Sequence, residues 1–75
     1  MKKVNAWKQD VFANLENHTI FVIENKDEYQ VFLEKEFYAP TFMFGVPKET
    51  TTPGETMLMA VNQAEKMSRI LFDEE

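Results

Sequence analysis

Hydrophobic positions change period along the chain, and the changes mark out its elements. Val4, Trp7, Val11, Phe12 and Leu15 fall at i, i+3, i+7, i+8 and i+11, the stripe of an amphipathic helix. Lys8, Gln9, Asp10, Asn14 and Glu16 suit its wet side. Asn5 is placed to cap the start, and Asn17 to stop the helix in a left-handed conformation. Thr19 to Glu24 (TIFVIE) is β-branched and aromatic and too short for a helix, so it reads as a strand. After the polar turn Asn25-Lys26-Asp27-Glu28, the stretch from Tyr29 to Glu34 alternates. Tyr29, Val31 and Leu33 point one way, and Gln30, Phe32 and Glu34 the other. The short turn joins the two as an antiparallel hairpin. Ala39-Pro40 breaks the run, because proline cannot donate to a ladder. Thr41 to Val46 (TFMFGV) then forms a third strand, expected to carry Phe42, Phe44 and Val46 on one face and Met43 on the other.

The strongest local signal opens the last helix. Thr52-Pro53-Gly54-Glu55 sets Thr at the N-cap, Pro at the first helical position and Glu three residues after the cap. Met57, Val61, Ala64, Met67 or Ser68, and Leu71 form the expected inner stripe, widened by Leu58 and Phe72. The expected fold class is therefore α+β in the order α-β-β-β-α. A three-stranded antiparallel sheet carries both helices on one face, within a single domain spanning residues 1–75. This order resembles that of the double-stranded-RNA-binding domain. That family places a basic cluster at the start of its last helix. Here the stretch TPGETMLMAVNQAEK has Glu55 and no base before Lys66, so the resemblance is one of element order and carries no residue across.

Composition sharpens this picture. With 75 residues, no cysteine and a single histidine, the chain relies on its core without a disulfide or a zinc-type metal site. No apolar run approaches the roughly 18–20 residues of a membrane span, and a cytoplasmic protein is expected. The net charge of −5 is uneven. Lys2, Lys3 and Lys8 make the first eight residues basic, whereas from Gln9 onward five bases face thirteen acids, a balance of −8. A nucleic-acid contact would have to use Lys2, Lys3 and Lys8, because phosphate neutralisation needs a basic face and no other part of the chain offers one.

Candidate chemistry is sparse. His18 and Ser68 are the only histidine and serine, and nothing in the sequence brings them within hydrogen-bond reach, so no enzyme and no cofactor is expected. Glu24-Asn25-Lys26-Asp27-Glu28 lacks the spacing of a calcium loop and reads as a solvated turn. Thr50 to Gly54 precedes a helix N-terminus that would attract an anion, but Glu55 already takes that place.

What stands out is an apolar surplus. The first predicted strand is apolar on both faces, and Phe32 and Met43 lie opposite the main stripes of theirs. With Phe37 and Tyr38 in the neighbouring connection, and Met59 off the inner stripe of the last helix, they form a candidate protein interface. The expected function is a small acidic, non-enzymatic protein–protein interaction module. An inhibitor or adaptor of the kind bacterial mobile elements, such as phages, encode is the leading version, self-associating as a homodimer through the open sheet face. The alternatives are a nucleic-acid-binding domain using the basic N-terminus and a purely structural homo-oligomer.

Overall fold

The computed structural model describes residues 5–72. These build a fold of mixed α and β content: a four-stranded antiparallel sheet and one C-terminal helix. The strands are β1 (Ala6–Ala13), β2 (Glu16–Glu24), β3 (Glu28–Lys35) and β4 (Thr41–Pro47), and the helix is α1 (Pro53–Phe72). The strands lie side by side in chain order, so each pairs with the next through a short connection. The three-strand, two-helix arrangement is therefore wrong at its first element, which is a strand.

Two features defeat the helical reading of β1. Asn14 and Leu15 have φ of 51° and 66°, the left-handed pair of a two-residue hairpin turn, which folds β1 back on β2. That turn allows eight consecutive cross-strand pairs, from Ala13 opposite Glu16 to Ala6 opposite Ile23. Trp7, Gln9, Val11 and Ala13 then face α1, while Lys8, Asp10 and Phe12 face away. Polar Gln9 on the inner side and Phe12 on the outer side hide the alternation. The left-handed position expected at Asn17 is thus moved to Asn14 and Leu15, and Asn17 pairs with Phe12 inside the ladder. Val4 lies outside the described residues.

The covered face of the sheet is sealed over β2 and β3. Ile20, Val22, Val31 and Leu33 are wholly buried, joined by Ala13, Tyr29 and Met43. Helix α1 reaches them through Thr56, Ala60, Ala64, Ser68 and Phe72, an i, i+4 series whose small members let the helix sit close. Met57, Val61, Met67 and Leu71 flank this line half-buried. Ala64, Ser68 and Phe72 lie where the stripe was expected, whereas Thr56 and Ala60 take the buried places expected for Met57 and Val61, and Leu58 lies outside the line, exposed. The capping box forms as read. The Thr52 hydroxyl accepts from the Glu55 N–H at 3.1 Å, and the Glu55 carboxylate accepts from the Thr52 N–H at 3.1 Å.

A β-bulge changes the facing of β4. Val31 pairs with Phe44, but Phe32 pairs with Phe42, so Met43 is the extra residue. Alternation is reset at that point. Met43 joins the core beside Phe44, while Phe42 turns to the opposite face. The expected positions of Met43 and Phe42 are exchanged for this reason.

Candidate functional site

Two places carry chemistry beyond packing: a buried polar pair beneath α1 and the uncovered face of the sheet. The first is formed by His18 and Ser68. The sequence gives no reason to join them, yet register places His18 on the covered face of β2 and helical period places Ser68 above it. His18 Nε2 and Ser68 Oγ lie 2.8 Å apart. His18 Nδ1 is 3.0 Å from the carbonyl oxygen of Glu16. A carbonyl only accepts, so Nδ1–H donates to it; in the tautomer protonated at Nδ1 alone, Nε2 accepts from the serine hydroxyl. This is the hydrogen-bond order of a nucleophile and its base. The surroundings oppose that use, because His18 is 2% exposed and Ser68 4%, with the Phe72 ring 6.2 Å from the imidazole. Little of either side chain is open to a substrate. The pair instead satisfies two buried polar side chains and fastens the end of α1 to β2.

The second place is the sheet face that α1 does not cover. Lys8 on β1 stands opposite Phe21 on β2, Phe21 opposite Phe32 on β3, and Phe32 opposite Phe42 on β4. Three phenylalanines thus form one row across three strands, ending at a lysine. The Phe32 and Phe42 rings meet edge to face with centroids 5.6 Å apart. Ile23 lies on this face two residues along β2 from Phe21, and Phe12 lies towards the β1–β2 turn. Phe42 is 49% exposed and Phe12 65% exposed. Among the described residues no element packs over this row.

Charge borders the row unevenly. Lys8 is the one cation on the strands of this face, against Asp10, Glu28 and Glu34. Asp10 accepts a hydrogen bond from Thr19 at 3.2 Å, and Glu28 accepts one from Gln30 at 3.0 Å. At the foot of β2 and β3, Lys48 pairs with Glu24 at 2.7 Å and donates to the carbonyl of Asn25 at 3.1 Å. Hydrogen bonds from Lys48, and then from Asn5, hold the Glu24 carboxyl below its usual range. The same bond to Glu24 raises the Lys48 ammonium above its own.

The residues singled out from sequence do not converge. Phe32 lies in the row. Met43 is buried beneath α1 and is unavailable on the open face. Tyr38 is half-buried, its ring 5.0 Å from that of Phe72, with the Lys35 ammonium 5.1 Å above it. Phe37 projects from the β3–β4 connection, 95% exposed at a φ of 73°. Met59 is on the outer side of α1, away from the open face. Lys8 closes the row, while Lys2 and Lys3 lie outside the described residues. The sequence reading placed Phe42 in the core and left open which pair of β2 faces outward, so the row itself was missed. A row needs the register of three strands and the bulge at Met43, neither of which has a local sequence signal. No group of histidine and acidic side chains able to hold a metal ion occurs among the described residues, and α1 is not long and apolar enough to cross a membrane.

Comparison with known proteins finds no matching family, no similar curated protein and no similar solved structure.

Proposed function

We propose that the chain is a small protein–protein interaction module, an adaptor or inhibitor without enzymatic activity, that docks a partner on the open face of its sheet. The row Phe21–Phe32–Phe42 carries this reading. Aromatic side chains supply much of the binding energy at interfaces, and a contiguous exposed apolar patch marks such sites. The excess of acid around the row selects the partner's chemistry: an apolar patch rimmed by basic groups. A second copy laid face to face would set the Asp10, Glu28 and Glu34 borders against their own kind, which disfavours that occupant.

The test uses the wild-type chain and a Phe32→Glu variant as parallel baits, followed by reassembly of any retained protein from purified components. A complex that reforms with the wild type, fails with Phe32→Glu and weakens as salt rises supports the reading. A complex indifferent to Phe32→Glu overturns it.

A second reading has one observation in its favour. A row of aromatic rings ending at Lys8 is also the form of a base-stacking platform for single-stranded nucleic acid. The surrounding acids and the net charge of −5 weigh against it. Absence of a gel shift with single-stranded DNA and RNA at ~50 mM salt removes it.

A further inference from the structure

The two edges of the sheet are protected unequally. Strand β4 follows Pro40, ends at Pro47 and is kinked by the bulge at Met43, the devices that blunt an edge against pairing. Strand β1 has no proline and no bulge along its eight residues. Its outward hydrogen-bonding groups can be assigned from the ladder. The Glu24 N–H donates to the Asn5 carbonyl at 2.9 Å, so these two form a hydrogen-bonded pair. Such pairs alternate with non-bonded ones. Trp7, Gln9, Val11 and Ala13 therefore bond to β2, whereas Ala6, Lys8, Asp10 and Phe12 turn their N–H and C=O groups outward from the sheet edge.

Those outward residues are self-complementary. Read in opposite directions, a lysine and an acid two positions apart on one face pair with each other. We infer that β1 pairs antiparallel with β1 of a second copy about a two-fold axis at Gln9, setting Lys8 opposite Asp10 of the second copy and Asp10 opposite its Lys8. In this register Ala6 meets Phe12 of the second copy, and all the outward-turned residues fall into hydrogen-bonded pairs. Sliding the ladder by one repeat in either direction puts Lys8 opposite Lys8 or Asp10 opposite Asp10. Charge therefore selects one register from those that the hydrogen bonds allow.

The covered side of the same edge agrees with this occupant. Trp7, Met57, Leu58 and Val61, with the polar Lys8 and Gln9 at the strand edge, line a groove between β1 and α1, and Trp7 and Leu58 remain exposed in it. The pairing brings Val11 of the second copy opposite Trp7, at the mouth of this groove, and two such grooves meet across the axis. The result is one continuous sheet with both helices on one side and both phenylalanine rows on the other. The inference stands independently of the docking reading, because it uses the edge of β1 and leaves the open face free.

Sedimentation equilibrium over a concentration series tests it with the full chain. The wild type is expected to approach twice the 8.8 kDa mass of the chain. Lys8→Asp and Asp10→Lys each replace two opposite-charge contacts by two like-charge ones and should weaken the dimer on the order of tenfold or more. The double variant Lys8→Asp/Asp10→Lys restores the pattern in reverse and should restore dimerisation, a recovery that misfolding of either single variant would not produce. A monomeric wild type at millimolar concentration, single variants as dimeric as the wild type, or a double variant no better than the single ones would each overturn the inference.

Discussion

Leu33 and Phe32 are neighbours on β3, yet one is sealed beneath α1 and the other lies on the far side against Phe42. The same contrast runs across β2, where Ile20 and Val22 are wholly buried while Phe21 and Ile23 remain half-buried on the uncovered face. Both faces are therefore apolar, but only one has been given a cover. An ordinary two-layer fold with a single helix needs one apolar face and would place polar groups on the other. This chain instead places three phenylalanines in a row on the uncovered side, Phe21 and Phe32 half-buried and Phe42 exposed. The packed face holds the fold, and the row is available for contact.

The sharpest way to break this comparison is to truncate each face in turn. Leu33→Ala leaves a cavity in the sealed layer and is expected to cost about 2–5 kcal/mol, close to the whole stability of so small a domain. Phe32→Ala removes a half-buried ring and its edge-to-face contact with Phe42 and should cost less, about 1–2 kcal/mol. Denaturant titration of the two variants measures the gap, and equal losses would mean that the faces are not distinct.

Ser68→Ala probes the polar pin within the packed face. It leaves His18 Nε2 buried without its partner, and the expected loss is about 1–3 kcal/mol. Urea unfolding compares it with the wild type. A change within error would show that the pair does not fasten α1 to β2.

At the hairpin between β1 and β2, Leu15 holds a φ of 66° while its side chain is 86% exposed. Glycine relieves that conformation and sacrifices little burial, so Leu15→Gly should stabilise by about 0.5–1 kcal/mol despite its greater freedom when unfolded. A lower thermal midpoint would show that the Leu15 side chain contributes contacts to the fold.

The smallest effect concerns the partly exposed pair at the foot of β2. Because Glu24 is held below its usual carboxylate range, its contribution is present above the ordinary value of 4.5 and fades as pH falls through the depressed one. Lys48 behaves in the opposite sense. Its contribution is present below 10.5 and is lost as pH rises through the raised value. Glu24→Gln should flatten the acid limb of the stability profile slightly. An unchanged profile would remove the pair from the account.

How much of this was legible in the sequence depends on the range of each signal. The capping box at Thr52 and Glu55 could be read directly because its geometry closes within four residues. The facing of β3 could be read because Tyr29 to Glu34 alternates cleanly. Strand β1 was not legible. Its apolar residues also fit a helical stripe, and its true identity is decided by the turn at Asn14–Leu15, which lacks the glycine that usually announces it. The exchange of Met43 and Phe42 follows from a bulge set by pairing with β3. The His18–Ser68 bond joins residues 50 positions apart. In each case the deciding partner is distant in sequence. The apolar surplus was visible from composition and pattern, whereas its arrangement as a row opposite the core required the register of the whole sheet.

The row lies on the surface and outside the core. A chain carrying Phe21→Thr, Phe32→Thr and Phe42→Thr together tests it most directly, since threonine keeps the β preference of each position and removes the rings. Unfolding is followed by fluorescence of Trp7, on the opposite face. The triple variant should keep a cooperative unfolding transition with the native spectrum. Loss of that transition would contradict that placement, by showing that the three phenylalanines hold the fold together.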